Sequence, residues 1–144
     1  MRSVLAAAML LCAAAAQAAD FRSVAESAAV MYDAPSRAST PVYVASRFYP
    51  VEVIVNLDAW VKVRDHTGTL SWIEKKSLSE RRMLIVTAPN VEVRSRAEDA
   101  APPAFQATQN VALDLVEIAP GGWVRVRHAD GSGGYVKSAQ VWGL

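Results

Sequence analysis

Two stretches of this chain are near copies. Trp60-Val-Lys-Val-Arg-Asp-His-Thr-Gly68-Thr-Leu-Ser-Trp72-Ile73 returns 63 residues later as Trp123-Val-Arg-Val-Arg-His-Ala-Asp-Gly131-Ser-Gly-Gly-Tyr135-Val136. Each copy reads W-V-[K/R]-V-R, then a glycine, then an aromatic followed by a β-branched residue. A repeat of this period in a 144-residue chain predicts two small copies of one unit rather than a single larger domain.

The local pattern inside each copy is that of short strands. In the first copy, Pro41-Val-Tyr-Val-Ala reads as a strand, and Val51, Val53 and Val55 alternate onto one face of another. Leu57-Asp-Ala is a turn, Trp60 to Arg64 a strand with Val61 and Val63 facing in, and His66-Thr-Gly68 a second turn before Ser71-Trp72-Ile73. In the second copy, Val111, Leu113 and Leu115 are matched to Val51, Val53 and Val55. Pro120-Gly-Gly122 then reads as a turn about three residues longer than its counterpart. Ala100-Ala-Pro-Pro-Ala104 is a loop, because consecutive prolines cannot serve a central strand. Between the copies, Met83-Leu-Ile-Val86 is apolar without alternation, which predicts a strand buried on both faces and packed near the first copy. The expected architecture is all-β: two small barrels, residues 20–78 and 83–144, joined by a short polar linker at 79–82. A barrel of about 60 residues is marginal alone, so a rigid tandem is favoured.

Residues 1–19 read as a cleaved signal peptide. Met1-Arg2-Ser3 supplies the positive start, Val4 to Ala16 the apolar run, and Ala16-Gln17-Ala18 the small residues before cleavage after Ala18 or Ala19. The run is shorter than the ~20 apolar residues a membrane span requires. This leader implies a periplasmic or secreted protein with no membrane span in the mature chain. The single cysteine, Cys12, lies in the leader, so the mature chain has neither a disulfide nor thiol chemistry. Loss of Arg2 leaves 14 basic against 14 acidic residues and a net charge of zero. That balance argues against nucleic acid or anionic lipid as the main partner, since both need a one-sided basic field.

The spacing resembles that of bacterial SH3-like domains of envelope and secreted proteins. The resemblance rests on Tyr32-Asp-Ala-Pro35-Ser36, Trp60-Val-Lys-Val63, Trp72-Ile73 and Leu78 in the first copy. In the second it rests on Val93-Arg94-Ser95, Gly122-Trp123-Val-Arg-Val126, Gly134-Tyr135-Val136 and Val141. Ser71 and Ala59 stand where the family has glycine, and Arg96-Ala97 where it has Gly-Pro. The resemblance implies a five- to six-stranded barrel, no catalysis, no cofactor, and binding of cell-wall peptide or of an extended segment of an envelope protein. A structural subunit, packed permanently against a partner or a second copy, is the alternative.

Strand alternation places Trp60, Lys62 and Arg64 on the outer face if Val61 and Val63 are core, and Trp123, Arg125 and Arg127 likewise. An indole beside cations suits an extended peptide or glycan, with the cations free to meet a carboxylate. Tyr32, Tyr49, Trp72 and Tyr135 are further ligand-binding candidates, whereas Phe105 and Trp142 read as core or as packing between the copies. His66 and His128 lie in different copies with no ligand cluster around either, so both read as solvated loop residues and no metal site is expected. No G-x-S-x-G motif is present. The adjacent acids Glu98-Asp99 lie in a loop, not across a cleft as glycan hydrolysis requires, so no catalytic residue is assigned.

Overall fold

The computed structural model describes residues 18–144; the leader assigned to residues 1–19 lies almost wholly outside the described residues. Module one comprises β1 (Phe21–Val24), β2 (Ala28–Tyr32), β3 (Pro41–Ser46), β4 (Pro50–Asn56), β5 (Trp60–Arg64), β6 (Leu70–Glu74) and β7 (Leu78–Ser79). Module two repeats them as β8 (Met83–Val86), β9 (Asn90–Arg94), β10 (Pro103–Thr108), β11 (Ala112–Ala119), β12 (Trp123–Arg127), β13 (Gly133–Lys137) and β14 (Val141–Trp142). The antiparallel strand order is β3-β2-β6-β5-β4-β1-β7 in one sheet and β10-β9-β13-β12-β11-β8-β14 in the other, so the two modules share one topology. The expected all-β tandem of small barrels is the observed fold, with seven strands in each sheet where five or six were expected.

Each sheet curls round its own apolar core. Val24, Met31, Val51, Val61, Val63 and Ile73 are the larger members in module one. Leu84, Val86, Val91, Val93, Leu113, Val124, Val126 and Val136 fill module two. Val61 and Val63 are fully buried, alternating with half-buried Trp60 and Lys62 and exposed Arg64, as strand alternation requires.

Three details of register differ from the sequence expectation. Val51 pairs with Arg22 as Leu113 pairs with Leu84, so Val51 corresponds to Leu113 and Val53 to Leu115, not to Val111 and Leu113. A period-two pattern survives a slip by two residues unchanged, which is why alternation alone could not tell these registers apart. Both strands then carry a bulge at the same place, between Val53 and Val55 and between Leu115 and Glu117. The bulge turns Val55 outward, away from the face it was expected to share with Val51. Asn56 faces Val61 and Ile118 faces Val124, so the turn of module two exceeds that of module one by one residue, not three.

The modules meet along β8. All four of its residues are buried: Leu84 and Val86 enter the core of module two, whereas Met83 and Ile85 belong to the opposite face. The short linker is pinned on both sides. Ser23 Oγ donates to the Arg81 carbonyl at 2.8 Å. The Arg81 guanidinium stacks on Phe48 of module one, 4.6 Å from the ring centroid, and donates to both oxygens of Asp114 of module two at 2.7 and 2.8 Å. Phe48 holds this position at φ 74°, a left-handed conformation costly for a bulky side chain; the equivalent Asn110 has φ 70°.

A row of rings crosses the junction. Tyr43, Tyr49, His66, Trp142 and Phe21 follow one another at centroid separations of 5.4, 5.9, 6.5 and 5.2 Å. The Arg82 guanidinium closes the row over Phe21 at 5.1 Å and donates to the Gly143 carbonyl at 2.8 Å. His66 is therefore not the solvated loop residue its flanking Thr-Gly suggested. It is half-buried between the modules, and its Nδ1 is buried without a hydrogen-bond partner.

Candidate functional site

The outer face of module one gathers most of its predicted site residues. Trp72 on β6 is the cross-strand neighbour of Tyr32 on β2 and of Lys62 on β5. Trp60, two pairs further along β5 and on the same face, meets the Tyr32 ring edge-on at 5.6 Å. All four side chains are half-buried, so each offers a face to solvent while its base is held by its neighbours. Lys62 has no carboxylate partner among the described residues, whereas Arg64 is tied to Glu52 on β4 at 2.7 Å. Tyr49 does not belong to this face: it lies at the junction, where its hydroxyl donates to Asp65 at 3.2 Å and burial pushes its pKa up.

Module two builds the same frame with different chemistry. Tyr135 sits between Arg94 and Arg125 in the row where module one has Tyr32, Trp72 and Lys62. Trp123 has no aromatic neighbour there; the Lys137 ammonium lies 5.7 Å from its ring centroid. Asn90, Glu92 and Arg94 on β9 replace Ala28, Val30 and Tyr32 on β2. The face that is apolar in module one is thus charged in module two. Arg94 is paired with Glu92 at 2.8 Å, whereas Arg125 and Arg127 have no acidic partner among the described residues. A shallow open depression of roughly 250 Å³ runs beside Trp123, lined by Glu92, Arg94, Asp99 and Lys137.

One ion pair in each module braces the long loop before β3 or β10 against the face, and its polarity is reversed between the copies. In module one, Arg37 grips both oxygens of Glu74 at 2.6 and 2.9 Å. In module two, Asp99 meets Lys137 at 2.7 Å. Arg37 and Asp99 stand five residues beyond the paired Tyr32 and Arg94, and Glu74 and Lys137 face Trp60 and Trp123 across their ladders. Both partners changed sign together, so the brace survives while the charge presented beside each tryptophan is inverted. Residue-by-residue alignment of the two copies carries this signal; the motif spacing alone does not.

The Arg37 hydrogen bonds hold the Glu74 carboxyl below the ordinary glutamate range. A depressed pKa means the brace is complete above the unfolded-state value, about 4.3, and is lost as pH falls through the lower folded value. In an NMR titration the Arg37 side-chain resonances are expected to hold steady from neutral pH and to move only below the ordinary glutamate value of about 4.3. Movement centred near neutrality would show that another group controls the loop.

Among the described residues no three His, Cys, Asp or Glu side chains are placed to hold a metal ion, and no helix is long and apolar enough to cross a membrane. A family model described as a bacterial SH3 domain matches residues 25–80 and again residues 87–143. The chain belongs to the bacterial SH3 domain family. Each match falls on one of the modules described above, with β1 and β8 just outside the matched residues, and domains of this family are binding domains. No curated protein matches the chain. Among solved structures it is similar to NlpC1 from Trichomonas vaginalis, at 16% identity over 95% of this chain and 50% of that one, TM-score 0.41. NlpC2 from the same organism follows at 16% identity, 89% and 49% coverage and TM-score 0.39. An NlpC/P60 family protein from Bacillus cereus ATCC 10987 is 15% identical over 85% and 55%, TM-score 0.40. This bacterial SH3 chain spans about half the length of those proteins.

Proposed function

We propose that this bacterial SH3 tandem is a non-enzymatic, exported binding protein that holds an extended peptide, with cell-wall peptide the preferred ligand. The observation that carries the reading is the Tyr32-Trp60-Trp72 cluster beside the partnerless ammonium of Lys62. Aromatic rings braced by their neighbours offer contact area at low entropic cost, and a free cation selects a carboxylate-bearing chain. The face of module two, with Trp123, Tyr135, Arg125 and Arg127, adds a second, more cationic contact. Two weak contacts on one chain reinforce each other when the ligand can reach both.

Co-sedimentation with purified peptidoglycan sacculi tests this directly. The unaltered chain is expected to pellet at low and moderate salt. The Trp60→Ala and Trp123→Ala double variant should lose most of that retention, roughly tenfold or more if each ring contributes about 1 kcal/mol, while its thermal unfolding stays cooperative. Retention of the double variant equal to that of the parent would remove these faces from the proposal.

A protein partner is favoured by one separate feature. β3 is an edge strand, and its Val42, Tyr43 and Val44 are 48, 50 and 57% exposed. A long apolar edge is a template for an added strand from another protein or a second copy. Light scattering showing a dimer at micromolar concentration, together with failure to pellet with sacculi, would move the function to this edge.

A further inference from the structure

The junction between the modules encloses a crevice of roughly 370 Å³, within the range of small-ligand pockets and at the kind of domain boundary where such pockets occur. Tyr43, Arg47, Tyr49 and His66 of module one and Ile85 and Asn110 of module two are among its lining residues. Its apolar side is made by the two tyrosine rings, 5.4 Å apart, with Ile85 from the buried interface strand. Its polar side is rich in donors. Arg47 is exposed and has no carboxylate partner among the described residues. Asn110 is held by its turn in a left-handed conformation. His66 Nδ1 is buried with nothing to bond.

Asp65, next to His66 in the chain, does not fill this need. Asp65 Oδ1 accepts from Thr67 N at 2.9 Å, Thr67 Oγ1 at 2.6 Å and Thr69 N at 3.1 Å, and Oδ2 accepts from the Tyr49 hydroxyl. Its lone pairs are engaged within its own hairpin and the adjoining tyrosine. An unpaired guanidinium and a buried polar atom without a partner, beside two rings tilted 42° to each other, together give this crevice the features of a recognition site.

We propose that this crevice binds the carboxylate end of a short peptide. The carboxylate takes the Arg47 fork and the Asn110 amide, and the last apolar side chain lies on Tyr43 and Tyr49. A single arginine matches the single charge of a carboxylate and its planar two-oxygen geometry. The site needs both modules, because neither Arg47 nor Asn110 alone closes it. It is separate from the outer faces, so it stands whether or not those faces bind the cell wall.

The test is an NMR titration of the purified chain with acetyl-Ala-Leu, with the same dipeptide capped as its C-terminal amide, and with inorganic phosphate. The free acid is expected to give saturable shifts at Arg47, His66 and Asn110, the amide to bind about tenfold more weakly, and Arg47→Gln to lose a similar factor, as follows from losing one charge-assisted pair. Arg96→Gln, remote from the crevice, should match the parent. Equal binding of acid and amide, an unchanged Arg47→Gln, or shifts only elsewhere would each overturn the assignment. Inorganic phosphate shifting the same residues at the same concentration would also overturn it, because the crevice would then be a general anion site.

Discussion

Gly134→Ala is expected to destabilise module two by about 3 kcal/mol, the upper end of the usual cost of overpacking. A Cβ at this position would lie 2.5 Å from the Arg94 carbonyl oxygen and 2.7 Å from Val93 Cγ1. Neither can give way cheaply. Val93 is fully buried in the module two core, and Arg94 sits in the β9–β13 pairing opposite Tyr135. Module one carries Ser71 at the equivalent position, 4% exposed, so the same topology accepts a side chain there when β2 and β6 are spaced for it. Gly131→Ala is the control. Its φ is 92° but a Cβ there meets nothing within 4 Å, so only the left-handed backbone cost of about 1 kcal/mol is expected. Urea unfolding followed by amide exchange in β9 and β13 separates the two variants. Equal small losses for both would show that the close approach at Gly134 is not a constraint.

Trp142→Ser is expected to cost about 2–3 kcal/mol, below the range for a fully buried tryptophan because Trp142 is half-buried. The loss should fall on the junction. Ser79 occupies the equivalent place in module one, so the barrel itself does not require an aromatic there. Trp142 instead packs edge-on against Phe21 at 5.2 Å and near His66, carrying the ring row from one module to the other. The variant should keep amide protection in the module two core, lose it around β1 and the linker, and shift the His66 resonances. Loss of protection centred on Leu113 and Val124 would show that Trp142 serves its own core instead.

The candidate site was only partly legible. The W-V-[K/R]-V-R segments place Trp60 and Trp123 outward because strand alternation is local and the inward valines are unambiguous. Arg64 drops out of the free cations because Glu52 lies opposite it on β4, a pairing visible only once the register is known. Tyr49 was named a ligand-binding candidate on residue type, yet the structure carries it to the junction beside His66 rather than to the face of Trp60 and Trp72. His66 looked like a solvated turn residue because its neighbours are turn formers; the rings against it come from Tyr49 and from Trp142 on β14, 76 residues later. The inverted pairs Arg37–Glu74 and Asp99–Lys137 were readable in principle, but only from an alignment that places the bulges correctly.

The amino-acid sequence by itself determined that there are two units, that each is built of short strands, and which face of the repeated strand is core. These follow from periodicity and repetition, which need no partner. The unbroken apolar run of β8 also announced that the two units pack together. Tertiary structure alone decided the register, the route of the ring row across the junction and the crevice there. It also decided that two copies of one frame present an aromatic face and a charged one. Those features depend on which residues far apart in the chain become neighbours, and a period-two pattern is blind to a shift of two.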